Sequence, residues 1–275
     1  MDDLLLAIPS HLATAKDADI IYTFAGAQAL TNYNFHLMDK GIVTPGMLAM
    51  AVLPGSTNGR ERAKAALDRL RAMGLASRGP DGSYVFDRDS FTMMDSYVAV
   101  QIADLKAFVG ARKNSAELFS YYICVLSTRS AESGFKVGRM PQTYLAEKFG
   151  VTATSAARYN KALEEMGLLY IRRLPPTRLT KERQTNVYGA ARDRVDIDAR
   201  ARSAANTGRA VNEARRISAQ YNAFVKKGGE GYSAKRIERL RIDCERYNEL
   251  VKARGSGELK DMSVFEPMAD NDVTG

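Results

Sequence analysis

Apolar residues recur at helical spacing along most of this chain, interrupted by short alternating stretches that turn residues bound. From the N-terminus, Ile20, Ile21, Phe24, Ala27, Leu30 and Phe35 predict a helix over residues 16–40, closed by Gly41. Thr44 is placed to cap a short helix whose first turn holds Pro45, where a missing N–H leaves no bond unmade. Pro54-Gly55 ends it. Ala63, Ala66, Leu67 and Leu70 predict a further helix over residues 59–73. Leu75–Arg78 and Ser83–Phe86 read as strands joined by the turn Gly79-Pro80-Asp81-Gly82.

The same order returns later in the chain. Ala116–Thr128 is a strongly apolar helix, and its Phe119, Tyr121 and Tyr122 read as core rather than as stacking platforms. Pro141–Phe149 is a short helix broken by Gly150, which tolerates the left-handed turn. Thr152 or Thr154 caps a second helix with Leu163 and Met166 on its apolar stripe. Leu168–Leu174 and Gln184–Tyr188 read as outgoing and returning strands. Leu70-x-x-Met73-Gly74-Leu75 recurs as Leu163-x-x-Met166-Gly167-Leu168, 93 residues on. With the flanking elements in the same order, this points to an internal duplication. Residues 89–109 read as a connecting helix. Beyond Ile197 almost no turn residue occurs before Gly228-Gly229-Glu230-Gly231, which implies two helices over 198–227 and 233–254.

The expected architecture is therefore mainly α with small β wings: tandem winged-helix domains followed by a C-terminal helical hairpin. The divisions fall at 1–88 for the first winged helix, 89–115 for a helical linker and 116–196 for the second winged helix. A basic helical hairpin follows over 197–255, then an acidic tail over 256–275 of disordered composition.

Charge placement changes the picture more than its total of +8. Residues 1–138 are neutral, residues 139–260 carry +12, and the last fifteen residues carry −4. The excess begins at the second helix-turn-helix, which favours a polyanionic partner. No run approaches a membrane span, and the basic half lacks the aromatic-rich apolar face of an interfacial helix. Two isolated cysteines, Cys124 and Cys244, suit reduced thiols and a cytoplasmic setting.

The chemistry of an enzyme is missing. His11 and His36 form no ligand pair, no GxxxxGK[ST] loop occurs, and no carboxylate pair sits in an apolar setting. No catalytic residue, metal or other cofactor is expected. The outward residues of the second helix are Thr152, Thr154, Ser155, Arg158 and Lys161, on the side that a recognition helix turns toward the major groove. Arg178, Lys181 and Arg183 fall on the wing tip, where phosphate or minor-groove contacts are made. In the first copy Arg60, Arg62, Lys64, Arg69 and Arg71 cluster on one helix and define a possible second DNA-binding helix. The partner these residues imply is double-stranded DNA.

Three stretches carry a family resemblance: Leu145-Ala-Glu-Lys-Phe-Gly-Val151, Arg158-Tyr-Asn-Lys-Ala-Leu-Glu-Glu-Met-Gly-Leu168 and Gln184-Thr-Asn-Val-Tyr188. Over about 75 residues the chain resembles winged-helix replication initiators of plasmids and phages, the replisome-organiser type included. The resemblance implies binding to repeated origin sites in a bacterial cell and recruitment of replication proteins. It puts Thr154, Ser155, Arg158 and Lys161 in base- and phosphate-reading roles, with Arg158 suited to a bidentate guanine contact. Homodimerisation through the first winged helix or the C-terminal helices is compatible with it. Two other functions fit the residues: a dimeric winged-helix transcriptional regulator, and a nonspecific DNA-coating or scaffold protein.

Overall fold

The computed structural model describes residues 5–34, 40–87, 97–109, 114–128, 138–174 and 185–253. The expected wing tip, with Arg178, Lys181 and Arg183, and the acidic tail lie outside these residues. The chain divides into two compact units, Met1–Arg173 with Thr185–Asp198, and Leu174–Gln184 with Ala199–Gly275. The described residues are mainly helical, with small antiparallel sheets.

The first unit contains one element series twice. Strand β1 (Leu5–Pro9) leads to α1 (Ala18–Asn34), β2 (Lys40–Val43), α2 (Pro45–Val52), α3 (Gly59–Ala72), β3 (Ser77–Arg78) and β4 (Tyr84–Asp87). Strand β5 (Tyr97–Gln101) then leads through α4 (Ile102–Phe108) to α5 (Ser115–Leu126), β6 (Gly138–Pro141), α6 (Gln142–Phe149), α7 (Ala153–Glu165), β7 (Leu169–Arg173) and β8 (Thr185–Ala190). The three-stranded sheets have the same order, β2-β4-β3 and β6-β8-β7. Each sheet brings a strand from before the helix pair against the returning strand of the hairpin that follows it.

A detail of close packing repeats as well. A Cβ on Gly41 would stand 2.2 Å from Thr31 Cγ2, and one on Gly138 would stand 2.9 Å from Thr128 Oγ1. In both copies, then, a glycine lets the strand pass beneath a threonine at the end of the preceding helix. These pairs are 97 residues apart, and no pattern of apolar positions marks them.

Residues 97–101 correct the expectation of a continuous helix over 89–109. Tyr97-Val98-Ala99-Val100-Gln101 is a strand, antiparallel to β1, with Ala7 opposite Ala99. The period is two: Leu6, Ile8, Val98 and Val100 are buried, while Leu5 and Tyr97 are exposed. β-branched valines suit that half-buried pleat, and among the described residues of this stretch the helix begins at Ile102. The register also has a symmetry. Exchanging Leu5–Pro9 for Tyr97–Gln101 reproduces the same pairing, so corresponding strands of the two copies pair with each other.

One apolar core runs through both copies. Helix α1 packs against α3 and α5, and α5 packs against α4, α6 and α7. Phe119 meets Tyr22 and Phe108 with ring centroids 5.5 and 5.2 Å apart, and Tyr121 meets Phe149 and Tyr159 at 5.2 Å each. Phe119, Tyr121 and Tyr122 are fully buried, as their spacing predicts. Such aromatic pairs add about 0.5–1.5 kcal/mol each beyond burial.

In the second unit, α8 (Arg194–Lys226), whose first turn belongs to the first unit, and α9 (Ala234–Ala253) form a hairpin. Ala214, Ile217, Phe224, Ile237, Leu240, Cys244 and Tyr247 make its separate core. Both helices fall where the scarcity of turn residues places them.

Candidate nucleic-acid interface

The second copy's helix pair is built from local signals. Helix α6 ends at Gly150, whose φ of +83° puts it in the left-handed region, and its N–H bonds Ala146 O at 2.9 Å. Two residues on, Thr152 caps α7 by accepting the Ser155 N–H at 3.2 Å. The cap is thus Thr152 and not Thr154. Ala156, Tyr159, Asn160, Ala162 and Leu163 face inward. Thr154, Arg158 and Lys161 are exposed, and at 3.6 residues per turn they lie on the side of α7 away from the core.

Ser155 is half-buried and committed locally, accepting from the Thr152 hydroxyl at 3.1 Å and from Arg158 Nη2 at 3.5 Å. Lys161 stands 3.9 Å from Glu165 with its side chain 80% exposed, a pair weak enough to yield to a stronger anion. Arg173 Nη2 donates to Glu164 at 2.8 Å and ties β7 to α7. Arg172 Nε is 3.1 Å from Asp198. The outer face of α7 therefore offers Thr154, Arg158 and Lys161.

Beneath α7 lies a polar cluster that the sequence does not advertise. Asn160, 3% exposed, accepts the Tyr121 O–H from α5 at 3.0 Å. Asn186 Nδ2 donates to the Tyr188 oxygen at 2.9 Å. Burial holds the Tyr121 and Tyr188 phenols above their ordinary range. Tyr159 is pushed up to about 12 by burial and then by its bond to Glu117. These phenols keep their protons at neutral pH and act as fixed donors and acceptors. The one sequence signal for Asn160 is a polar residue at an apolar-stripe position, four residues after Ala156 and three before Leu163.

The first copy's cations divide into two sets. Arg62 makes a two-pronged bond to Asp19, with Nε at 3.0 Å from Oδ2, and Arg69 Nη2 reaches Asp17 at 3.0 Å. Both arginines are thereby turned toward the α1 end of the domain. Arg60, Lys64 and Arg71 are exposed within about 40° of one another on a different flank of α3. At the 93-residue displacement, Thr154, Arg158 and Lys161 of α7 correspond to Glu61, Ala65 and Asp68 of α3. Asp68 accepts the Tyr84 O–H at 2.6 Å and lies 3.8 Å from Arg78. Where α7 presents a hydroxyl and two cations, α3 presents two acids and an alanine.

Other chemistry is sparse among the described residues. No three His, Cys, Asp or Glu side chains are grouped as metal ligands, and no helix is long and apolar enough to cross a membrane. Burial pushes both the Cys124 and Cys244 thiols up to about 11, the reverse of an activated nucleophile. No protein-family model and no curated protein sequence matches the chain.

Proposed function

We propose that the chain is a sequence-specific double-stranded DNA-binding protein, not an enzyme, in which both copies are winged helices and α7 is the recognition helix. Its role in this reading is that of a plasmid or phage replication initiator binding origin repeats. The observation that carries the proposal is the outer face of α7. Thr154, Arg158 and Lys161 project from a rigidly anchored helix, at the start of the half of the chain that holds all the excess positive charge. Arginine at such a position can bond guanine O6 and N7 together, which discriminates by about 1–3 kcal/mol.

The repetition of the element series within one chain favours an initiator over a repressor. A regulator that binds as a dimer places equivalent helices on two half-sites about one helical turn apart, and so selects palindromes. Here one chain already contains the pair, and its two members have unlike outer faces. One strongly read half-site per chain suits tandem direct repeats.

Selection from a random duplex pool at near-physiological salt tests this. The expected outcome is enrichment of direct repeats, with Arg158→Ala relaxing one position of the motif. A palindrome would move the assignment to a transcriptional regulator. Retention without enrichment, falling steeply with salt, would leave a nonspecific coating role.

A further inference from the structure

The hairpin of the second unit carries an interhelical ladder that is left incomplete. Glu213 on α8 pairs with Arg246 on α9 at 3.2 Å, and one turn on Arg216 stands 3.8 Å from Asp243. Each step forward along α8 is matched by an equal step back along α9, as antiparallel helices require. The next positions in that register are Gln220 with Arg239, then Ala223 with Arg236. Neither α8 residue is an acid. At this place the helices enclose a cleft of about 260 Å³ lined by Arg216, Gln220, Tyr232, Arg236, Arg239 and Asp243. Three guanidinium groups meet a single carboxylate there, and that carboxylate already serves Arg216.

We infer that this cleft binds one phosphate of a DNA backbone. The inference rests on the DNA-binding reading above and extends it to the hairpin. Arg236 and Arg239 offer planar forks of N–H donors with no ion pair among the described residues, the geometry that suits phosphate oxygens. The ring of Tyr232 has Arg236 over it at 4.5 Å and Phe224 against it at 5.2 Å. Tyr232 thus orients Arg236 and is not an open platform for a base. The contact is to backbone and blind to sequence, so the hairpin adds affinity while α7 supplies discrimination.

The test uses the full chain and several unrelated 20-bp duplexes, with the dissociation constant measured by anisotropy across a salt series. One variant is Arg236→Gln/Arg239→Gln. The other is Gln220→Glu, which supplies the missing acid, completes the ladder and leaves both arginines in place. Each is expected to lower the slope of log affinity against log salt by about one, equivalent to roughly eightfold weaker binding at 0.1 M salt, on every duplex. Gln220→Glu is expected to melt no lower than the parent, which separates loss of the site from loss of the fold. An unchanged slope in both variants would overturn the cleft and leave the recognition role of α7 standing. Loss confined to one duplex sequence would also overturn it, because backbone contact is uniform. Inorganic pyrophosphate that binds the parent without displacing duplex would make this a free-phosphate site instead. If duplex selection finds no preferred sequence while the uniform eightfold loss is observed, the reading of α7 fails and the cleft survives.

Discussion

Removing the Asn160 amide should cost more than its size suggests, because it is the acceptor for a fully buried phenol on another helix. In Asn160→Leu the volume is roughly kept, but the Tyr121 O–H loses the acceptor it reaches at 3.0 Å, inside a site where Tyr121 is fully buried. An unsatisfied buried donor costs about 1–3 kcal/mol, and that is the expected loss. Tyr121→Phe alone removes the donor and should cost about 1 kcal/mol. Adding Tyr121→Phe to Asn160→Leu should recover about 1–2 kcal/mol, because both partners of the bond are then apolar. Urea unfolding of the four proteins, read at constant denaturant slope, gives the coupling directly. Additive losses, or a cost for Asn160→Leu below about 0.5 kcal/mol, would refute the claim that this bond anchors α7 to α5.

Two further outcomes follow from the same geometry. Gly150→Ala meets no neighbouring atom within 4 Å, so its cost is that of holding a Cβ at φ +83°, about 1–2 kcal/mol by urea unfolding. A neutral result would mean that the turn can leave the left-handed region. Both thiols titrate higher in the folded chain than the usual 9.0, at about 11, and Tyr159 moves from 10.0 to about 12. A raised folded value favours the protonated form, so this stability is complete below about pH 9 and is lost as pH rises from 9 to 12. Thermal melts across that range should fall, and a thiol reagent at pH 7.5 should label the cysteines only as fast as the chain opens. Rapid labelling of the folded protein would contradict the burial of Cys124.

What the sequence disclosed, and what it withheld, divides by the range of the interaction. Caps and turns are local, and they were legible: Thr44 accepts the Met47 N–H, Thr152 caps α7, and the Gly79–Gly82 turn joins β3 to β4. Thr154, Arg158 and Lys161 followed from helical period alone, whereas Thr152 and Ser155, read as outward with them, are taken up by the cap. Strands β1 and β5 were not legible, because each is five residues long and finds its partner some ninety residues away. A short run such as Tyr97–Gln101 satisfies a helical pattern as readily as an alternating one until its partner is known. The same limit hid the commitment of Arg62 and Arg69 to acids 43 and 52 residues distant. On composition those arginines look like α3's contribution to a basic surface. Their geometry makes them internal ties.

That difference bears on why one copy should read DNA in the proposed function while the other does not. A recognition helix discriminates only if its side chains are held where base edges will be, and α7 is held through α5 by the Tyr121–Asn160 bond and the Tyr121, Phe149 and Tyr159 rings. Helix α5 in turn packs on α1, and α1 is tied to α3 through Arg62–Asp19. The first copy thus completes a chain of contacts that ends at the reader. Arg62 and Arg69 are spent on that bracing, and its outward positions, Glu61 and Asp68, would repel phosphate. A neutral first half and a strongly basic second half are what this division of labour requires: bracing needs balanced pairs, whereas reading and backbone contact need cations left for the ligand.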